Sequence, residues 1–173
     1  MSQNHDNPTG ASRHGTRDAI PIPRVVVDTN VCLDLFLFRD PHVAKLLADM
    51  QAGVVAAVTN AECRGEWLRV LQYPQLRLDD AARSTLVSVF DALIQCLPET
   101  ETAAHATRLP RCADPDDQKF LQLAFDCAAR WLVSRDDAVL ALGRRMRRDG
   151  LFEIVSPKDW MFPAAEMPQR AAL

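Results

Sequence analysis

The sequence predicts a three-layer α/β/α sandwich around a central parallel sheet of about four to five strands. Three observations lead there. Short β-branched or apolar runs, as at Val25-Val26-Val27 and Val54 to Val58, alternate with longer amphipathic stretches of helical period, the pattern of a sheet covered on both faces. Those runs are apolar throughout, with no in-out alternation, as strands buried on both sides require. The 173 residues, 48% apolar and 25% charged, suit one globular domain with one sizeable core.

Residues 1–23 are rich in Asn, Ser, Thr, Gly, His and Pro with almost no apolar content, so a disordered tail is expected there. The domain is expected over 24–160, with a short C-terminal tail over 161–173. Val25-Val26-Val27 forms the first strand and stops at Asp28. Asp40-Pro41 opens a helix, with Asp40 as N-cap and Pro41 at the first helical position. Val43, Leu46, Leu47 and Met50 are its stripe. Gly53 ends it, and the second strand follows to Val58. Thr59-Asn60-Ala61-Glu62 has capping-box spacing, with Thr59 as N-cap and Glu62 as its return partner. That helix carries Trp67, Leu68 and Leu71 and ends near Tyr73-Pro74. Asp79-Asp80 starts another, with a short strand over residues 94–97 after it. The stretch 98–111 has no readable pattern. Asp114 caps a helix whose stripe is Phe120, Leu121, Ala124, Phe125 and Ala128. Trp131-Leu132-Val133-Ser134 is a strand, residues 136–148 one helix, and Phe152 to Val155 the last strand.

Composition excludes several classes. No run of 18 apolar residues is present, so no membrane span is expected, and residues 1–24 lack the apolar core of a secretory signal. The five cysteines are odd in number and contain no C-x-x-C pair. Reduced thiols in a cytoplasmic protein are expected, not a disulfide framework or a zinc site. The formal charge of −3 does not advertise a nucleic-acid binder, but it allows acids gathered in one cleft with arginines around it.

In open parallel sheets ligands bind beyond the carboxyl ends of the strands. Asp28 ends the first strand, and Asp136 lies just past the Trp131 strand. Glu62 and Glu66 lie in the first turns after the second strand. Asp114, Asp116 and Asp117 begin the helix that feeds the fourth. Four segments thus bring acids to one sheet edge. Clustered carboxylates repel one another, and a divalent cation relieves that repulsion. Mg²⁺ takes a few carboxylates plus waters and leaves room for phosphate oxygens. It can acidify a water and stabilise in-line displacement at phosphorus.

Each acid also has a plainer reading. Asp28, Asp114 and Asp136 are all apt N-caps, and acids in a first helical turn suit the helix dipole without any metal. Glu62 and Glu66, four apart, share a helix face. The capping box gives Glu62 a structural task, so Glu66 is preferred for the site. Asp117 is preferred over Asp116 and Asp114, since a cap needs only one of the three. Thr29, Asn30, Lys119, Ser134 and Arg135 are candidates for substrate binding or for orienting the acids. The arginines at 144, 145, 147 and 148 read first as a solvated helix end and second as a phosphate contact. Trp67 and Trp131 are assigned to the core, and Trp160 stays open.

Four stretches resemble the PIN-domain nucleases: Val25-Val26-Val27-Asp28-Thr29-Asn30, Glu66-Trp67-Leu68-Arg69-Val70-Leu71 with Tyr73-Pro74, Ala113-Asp114-Pro115-Asp116-Asp117-Gln118-Lys119-Phe120-Leu121, and Trp131-Leu132-Val133-Ser134-Arg135-Asp136. They occur in order, and the last three resemble the subgroup of toxin components of toxin–antitoxin systems. The resemblance implies Mg²⁺ or Mn²⁺ held by Asp28, Glu66, Asp117 and Asp136, and cleavage of single-stranded RNA to a 3′-hydroxyl and a 5′-phosphate. It also implies a small antitoxin partner and a homodimer. Many members carry a second Asp two residues after the last acid, where this chain has Ala138. Two rival readings accompany it. One is a catalytically weak RNA-binding or interaction module with this fold. The other is a haloacid-dehalogenase-type phosphatase, which needs an Asp where Asn30 stands.

Overall fold

The computed structural model describes residues 21–98 and 109–162. Most of the expected tails over 1–23 and 161–173, namely residues 1–20 and 163–173, and most of the unreadable stretch, at 99–108, lie outside the described residues.

Five strands form one parallel sheet in the order β3-β2-β1-β4-β5. They are β1 (Arg24–Val27), β2 (Ala56–Thr59), β3 (Ile94–Cys96), β4 (Trp131–Val133) and β5 (Glu153–Val155). β1 is central, with Val26 opposite Val58 on one side and Leu132 on the other. Its three valines are therefore all buried. Alternation sorts them: Val25 and Val27 face one core with Trp131 and Val133, and Val26 faces the other with Leu132, Val58 and Ile154.

The first core is covered by α1 (Thr29–Leu33), α2 (Ala44–Gln51), α3 (Ala61–Val70) and α4 (Asp80–Leu93). Its centre is aromatic. Trp67 stacks on Phe90 with ring centroids 5.3 Å apart, and Phe36 meets both edge-on. The second core is covered by α5 (Gln118–Asp126), α6 (Asp137–Leu140) and α7 (Gly143–Arg148), through Phe120, Leu121, Ala124, Val139 and Met146. Trp160 is buried against Trp131 and donates its indole N–H to Asp49, 2.9 Å away. This settles the residue left open by the sequence as a clamp of the C-terminal segment onto the first core.

Two local expectations need correction. The N-cap of α3 is Asn60, not Thr59. The strand runs one residue further than its apolar content suggests, so Thr59 pairs with Cys96 in the β2–β3 ladder. The Asn60 side chain then accepts from the Cys63 N–H at 2.9 Å. Glu62 thus has no capping-box role, and the structural task assigned to it falls away. The single helix expected over 136–148 is two, α6 and α7, broken after Leu140. Gly143 opens α7 where a Cβ would stand 3.3 Å from the Ile154 carbonyl oxygen, so its lack of a side chain lets α7 lie close on β5.

Sequential strands step outward from β1 to β3, and the chain then returns to place β4 on the other side of β1. The helix after β1 lies over the first core and the helix after β4 over the second. The gap between the C-terminal ends of β1 and β4 is therefore the topological switch point, where such sheets bind ligands.

Candidate active site

Asp28 leaves β1 at that switch point, 3% exposed. The ladder continues one step, with its N–H donating to the Val133 carbonyl at 3.0 Å, so the carboxylate is pinned beside the end of β4. One oxygen accepts from the Val31 N–H at 2.9 Å, capping α1. The other accepts from the Ser134 hydroxyl and from the Arg135 N–H at 3.3 Å. Burial pushes this carboxyl above the usual range, opposed by those same hydrogen bonds.

Ser134, wholly buried, ties the two strand ends together. Its hydroxyl donates to Asp28 while its oxygen accepts from the Asp136 N–H at 3.0 Å. Asp136 in turn caps α6, accepting from the N–H groups of Ala138 at 2.7 Å and Val139 at 3.3 Å. The capping readings of Asp28 and Asp136 hold as geometry, and each still leaves lone pairs uncommitted to the helix.

The third acid comes from the start of α5. Asp114 caps a short 3-10 turn, accepting from the Asp116 N–H at 2.9 Å, as the sequence suggests for the first of three acids. Asp117 makes no cap bond. Its carboxyl is pushed up to about 6, first by burial and then by the charges of Asp136, Asp114 and Asp28. Three segments distant in sequence thus put negative charge into one another's field. Asp116 does not contribute to that field and is exposed.

Glu66 is largely buried on α3, and its carboxylate pairs with the Lys119 ammonium and more distantly with Arg69, at 3.8 Å. It acts on the Cys32 thiol together with Asp28, so it faces the same interior. Glu62 is exposed and lines a separate polar pocket with Asn60, Lys119, Gln122 and Asp126. Lys119 lies between the Glu66 carboxylate and Asp117, whose acidity it restores in part. Thr29 is buried at the start of α1, and Asn30 is exposed beside Arg135 and Asp136.

Arg135 does not point at the acids that follow it in the chain. Its guanidinium pairs with Asp34 at 2.6 Å and stands 3.9 Å from Asp40. Asp34, 5% exposed, is the site-wall residue that sequence reasoning missed. The available signal was a lone acid inside the apolar run Val31 to Phe38, since a buried charge demands a partner. Three of the four α7 arginines are engaged at the surface: Arg145 and Arg148 with Asp149, and Arg147 with Glu153.

The family model described as PIN domain matches residues 24–138, a span that contains Asp28, Glu66, Asp114, Asp117 and Asp136. The chain belongs to the PIN domain family. That membership carries the coarse reading, a nuclease, and sets the phosphatase alternative aside. Among solved structures, a chain of VapBC2 from Rickettsia felis, determined bound to a DNA fragment from the promoter, superposes with a TM-score of 0.52 at 10% identity, covering 77% of this chain and 98% of that one. At that identity the likeness speaks to the PIN fold alone. No curated relative matches the sequence.

The donors at the switch point are all carboxylate oxygens, the chemistry that Mg²⁺ and Mn²⁺ prefer, and the raised Asp117 carboxyl is what an uncompensated acid cluster produces. The residues therefore fit a hard divalent cation in kind. Among the described residues no three His, Cys, Asp or Glu side chains stand in an arrangement that holds one.

Proposed function

We propose that this PIN domain is a divalent-cation-dependent endoribonuclease acting on single-stranded RNA, the toxin of a toxin–antitoxin pair. The observation that carries it is the joining of Asp28 and Asp136 through Ser134 at the switch point of the sheet, beside an Asp117 carboxyl pushed up to about 6, first by burial and then by the charges of Asp136, Asp114 and Asp28. Such mutual repulsion at a ligand-binding sheet edge is a cost that a cation removes. Asp28, Glu66, Asp117 and Asp136 would hold Mg²⁺ or Mn²⁺, which when bound supplies Lewis acidity and charge compensation at a phosphodiester.

The protein's own groups have separable roles in this reading. Ser134 keeps a proton on its own oxygen, directed at Asp28, and so fixes the carboxylate plane. Asp136 is oriented by the same serine through its backbone N–H. Asp117 is not committed to a helix cap, so its carboxylate is available to the cation. Glu66 must exchange its Lys119 partner for the cation, which frees Lys119 for a substrate phosphate. An antitoxin partner is supported by the VapBC2 likeness, since that structure is named as a complex on promoter DNA. Cytoplasmic location and a homodimer belong to the same proposal, as does a nuclease domain spanning 24–160. No helix among the described residues is long and apolar enough to cross a membrane.

Cleavage of a mixed single-stranded RNA pool by the purified protein tests the reading. Activity with Mn²⁺ or Mg²⁺ that disappears with EDTA and with Asp28→Asn is the expected result. Activity that survives Asp28→Asn, or RNA binding without cleavage under either metal, overturns it. The second outcome would favour the weak RNA-binding module, a reading that Ala138 in place of a further acid supports.

A further inference from the structure

The chain does not continue from α1 as regular helix. Residues Asp34–Phe38 wind as a π-helix, closed by Arg39 in the left-handed region at φ 52°. π-turns are rare and concentrate at functional sites, and a non-glycine residue at positive φ is a strained position. The result of this winding is Phe38, which is 58% exposed although it ends an apolar run. The preceding residues of the run, Leu35 and Phe36, are buried in the first core.

Phe38 is not on a random stretch of surface. It lines an open groove of about 320 Å³ with Asn30, Leu33, Asp34, Arg135 and Asp136. One end of the groove is thus a site carboxylate, and its wall is the guanidinium of Arg135 held by Asp34 at 2.6 Å. Arg135, held by Asp34 and 3.9 Å from Asp40, is the cation among the residues lining this groove, set between those acids and Asp136. An exposed aromatic face, an exposed amide and a fixed guanidinium at the mouth of a cleft are the elements with which proteins hold unpaired nucleotides: stacking for the base, polar groups for its edge and for the backbone.

We infer that Phe38 is a base-stacking platform, on which the nucleotide flanking the scissile phosphate lies with its backbone beside Arg135. This deepens the nuclease proposal and rests on it for the position of the scissile bond. It also supplies a physical reason for selecting single strands. A base held in a duplex has its faces covered by its neighbours, so only an unpaired base is free to lie on Phe38.

The test uses Phe38→Ala, Phe38→Leu and Phe38→Trp of the full chain, with a single-stranded RNA dodecamer and a hairpin of the same composition. In steady-state cleavage, Phe38→Ala is expected to raise KM by roughly 5- to 100-fold, the scale of one lost stacked base, with kcat changed by little. Phe38→Leu should behave like Phe38→Ala, and Phe38→Trp like wild type. The second readout needs no cleavage. The native tryptophans at 67, 131 and 160 are all buried, so the solvent-exposed emission of Phe38→Trp is expected to be quenched by the dodecamer and not by the hairpin.

Wild-type cleavage with an unchanged KM in Phe38→Ala would sink the stacking platform and leave the nuclease reading intact. No cleavage together with RNA quenching of Phe38→Trp would sink the nuclease reading and leave the platform. Absence of quenching overturns the platform whatever the cleavage result. A dimer that falls apart in Phe38→Ala with RNA affinity unchanged overturns it as well, and assigns this face to a protein interface.

Discussion

The two sides of the cleft hold their acids in opposite ways. On the strand side, Asp28 and Asp136 are each bonded to the chain that carries them, and Ser134 joins the two. On the helix side, Asp117 makes no cap bond and sits in the field of three other acids, while Glu66 is compensated by a lysine. The strand side is a finished structure that does not need a ligand to be stable. The helix side is electrostatically incomplete. The difference teaches that burial alone does not mark the group a cation will move. Asp28 is far more buried than Asp117; burial raises its carboxyl and hydrogen bonds oppose that rise, whereas at Asp117 burial and neighbouring negative charge push the same way.

The sharpest way to break this asymmetry is on the strand side. Asp28→Asn keeps the shape and removes the charge, and cleavage is expected to fall by a factor on the order of 10³ or more, the scale seen when one member of a catalytic unit is lost. Single-turnover cleavage of RNA measures it. Ser134→Ala is next. It leaves the Asp136 N–H and one Asp28 oxygen without their buried partner, so a loss of about 1–3 kcal/mol in denaturant unfolding is expected. Cation affinity should fall by about 10- to 100-fold, as when a supporting hydrogen bond behind a ligand is removed. Mn²⁺ titration followed by calorimetry checks the second figure, and an unchanged affinity would mean that the serine is scaffold only.

A pH series addresses the helix side. The Asp117 carboxyl lies at about 6 in the folded protein against an ordinary 3.8, so the folded state binds the proton more tightly than the unfolded state. Its contribution to stability is fully present below the ordinary value and is lost as pH rises through about 6. Without divalent cation the protein is therefore expected to lose stability from about pH 4 to about pH 6 on account of this group. Asp117→Asn should flatten that slope and be more stable than wild type at pH 7, while losing cleavage. Saturating Mn²⁺ should remove the wild-type deficit. Thermal midpoints across pH, with and without Mn²⁺, show whether both shifts occur. The smallest effect is expected from Lys119→Gln. The lysine is a largely buried counter-charge to Glu66 and attracts the Asp117 carboxylate, so its removal should tighten Mn²⁺ binding, by roughly 2- to 5-fold because the desolvation of such a pair offsets most of its attraction. A weaker affinity in Lys119→Gln would show that the lysine assists the cation.

The strand side was largely legible in the sequence because its signals are local. An apolar triplet ending at Asp28 and an apolar run ending at Ser134 place both residues at strand ends, and parallel strands end on the same edge. The helix side was legible only in part. The choice of Glu66 over Glu62 was reached through a capping box that does not exist, because Thr59 and Asn60 are both good caps and only the β2–β3 register decides between them. In the structure the two differ in setting: Glu66 is largely buried and paired with Lys119, and Glu62 is exposed. The pairing of Arg135 with Asp34 spans 101 positions, and that of Trp160 with Asp49 spans 111. No periodicity or cap signals a contact of that kind. The π-winding after α1 was likewise unreadable, since its residues form an ordinary apolar run.

The Ser134–Asp28 bond joins residues 106 positions apart, and this has a consequence for the order of events during synthesis. Asp28, Glu66 and Asp117 are all made before β4, yet the floor that fixes Asp28 beside Asp136 comes only with Trp131–Val133 and the residues that follow it. Such long closures are the slow part of folding. A nascent chain therefore carries most of the cleft's acids without the cleft. A chain released before Trp131 carries Asp28, Glu66 and Asp117 without the floor that positions them.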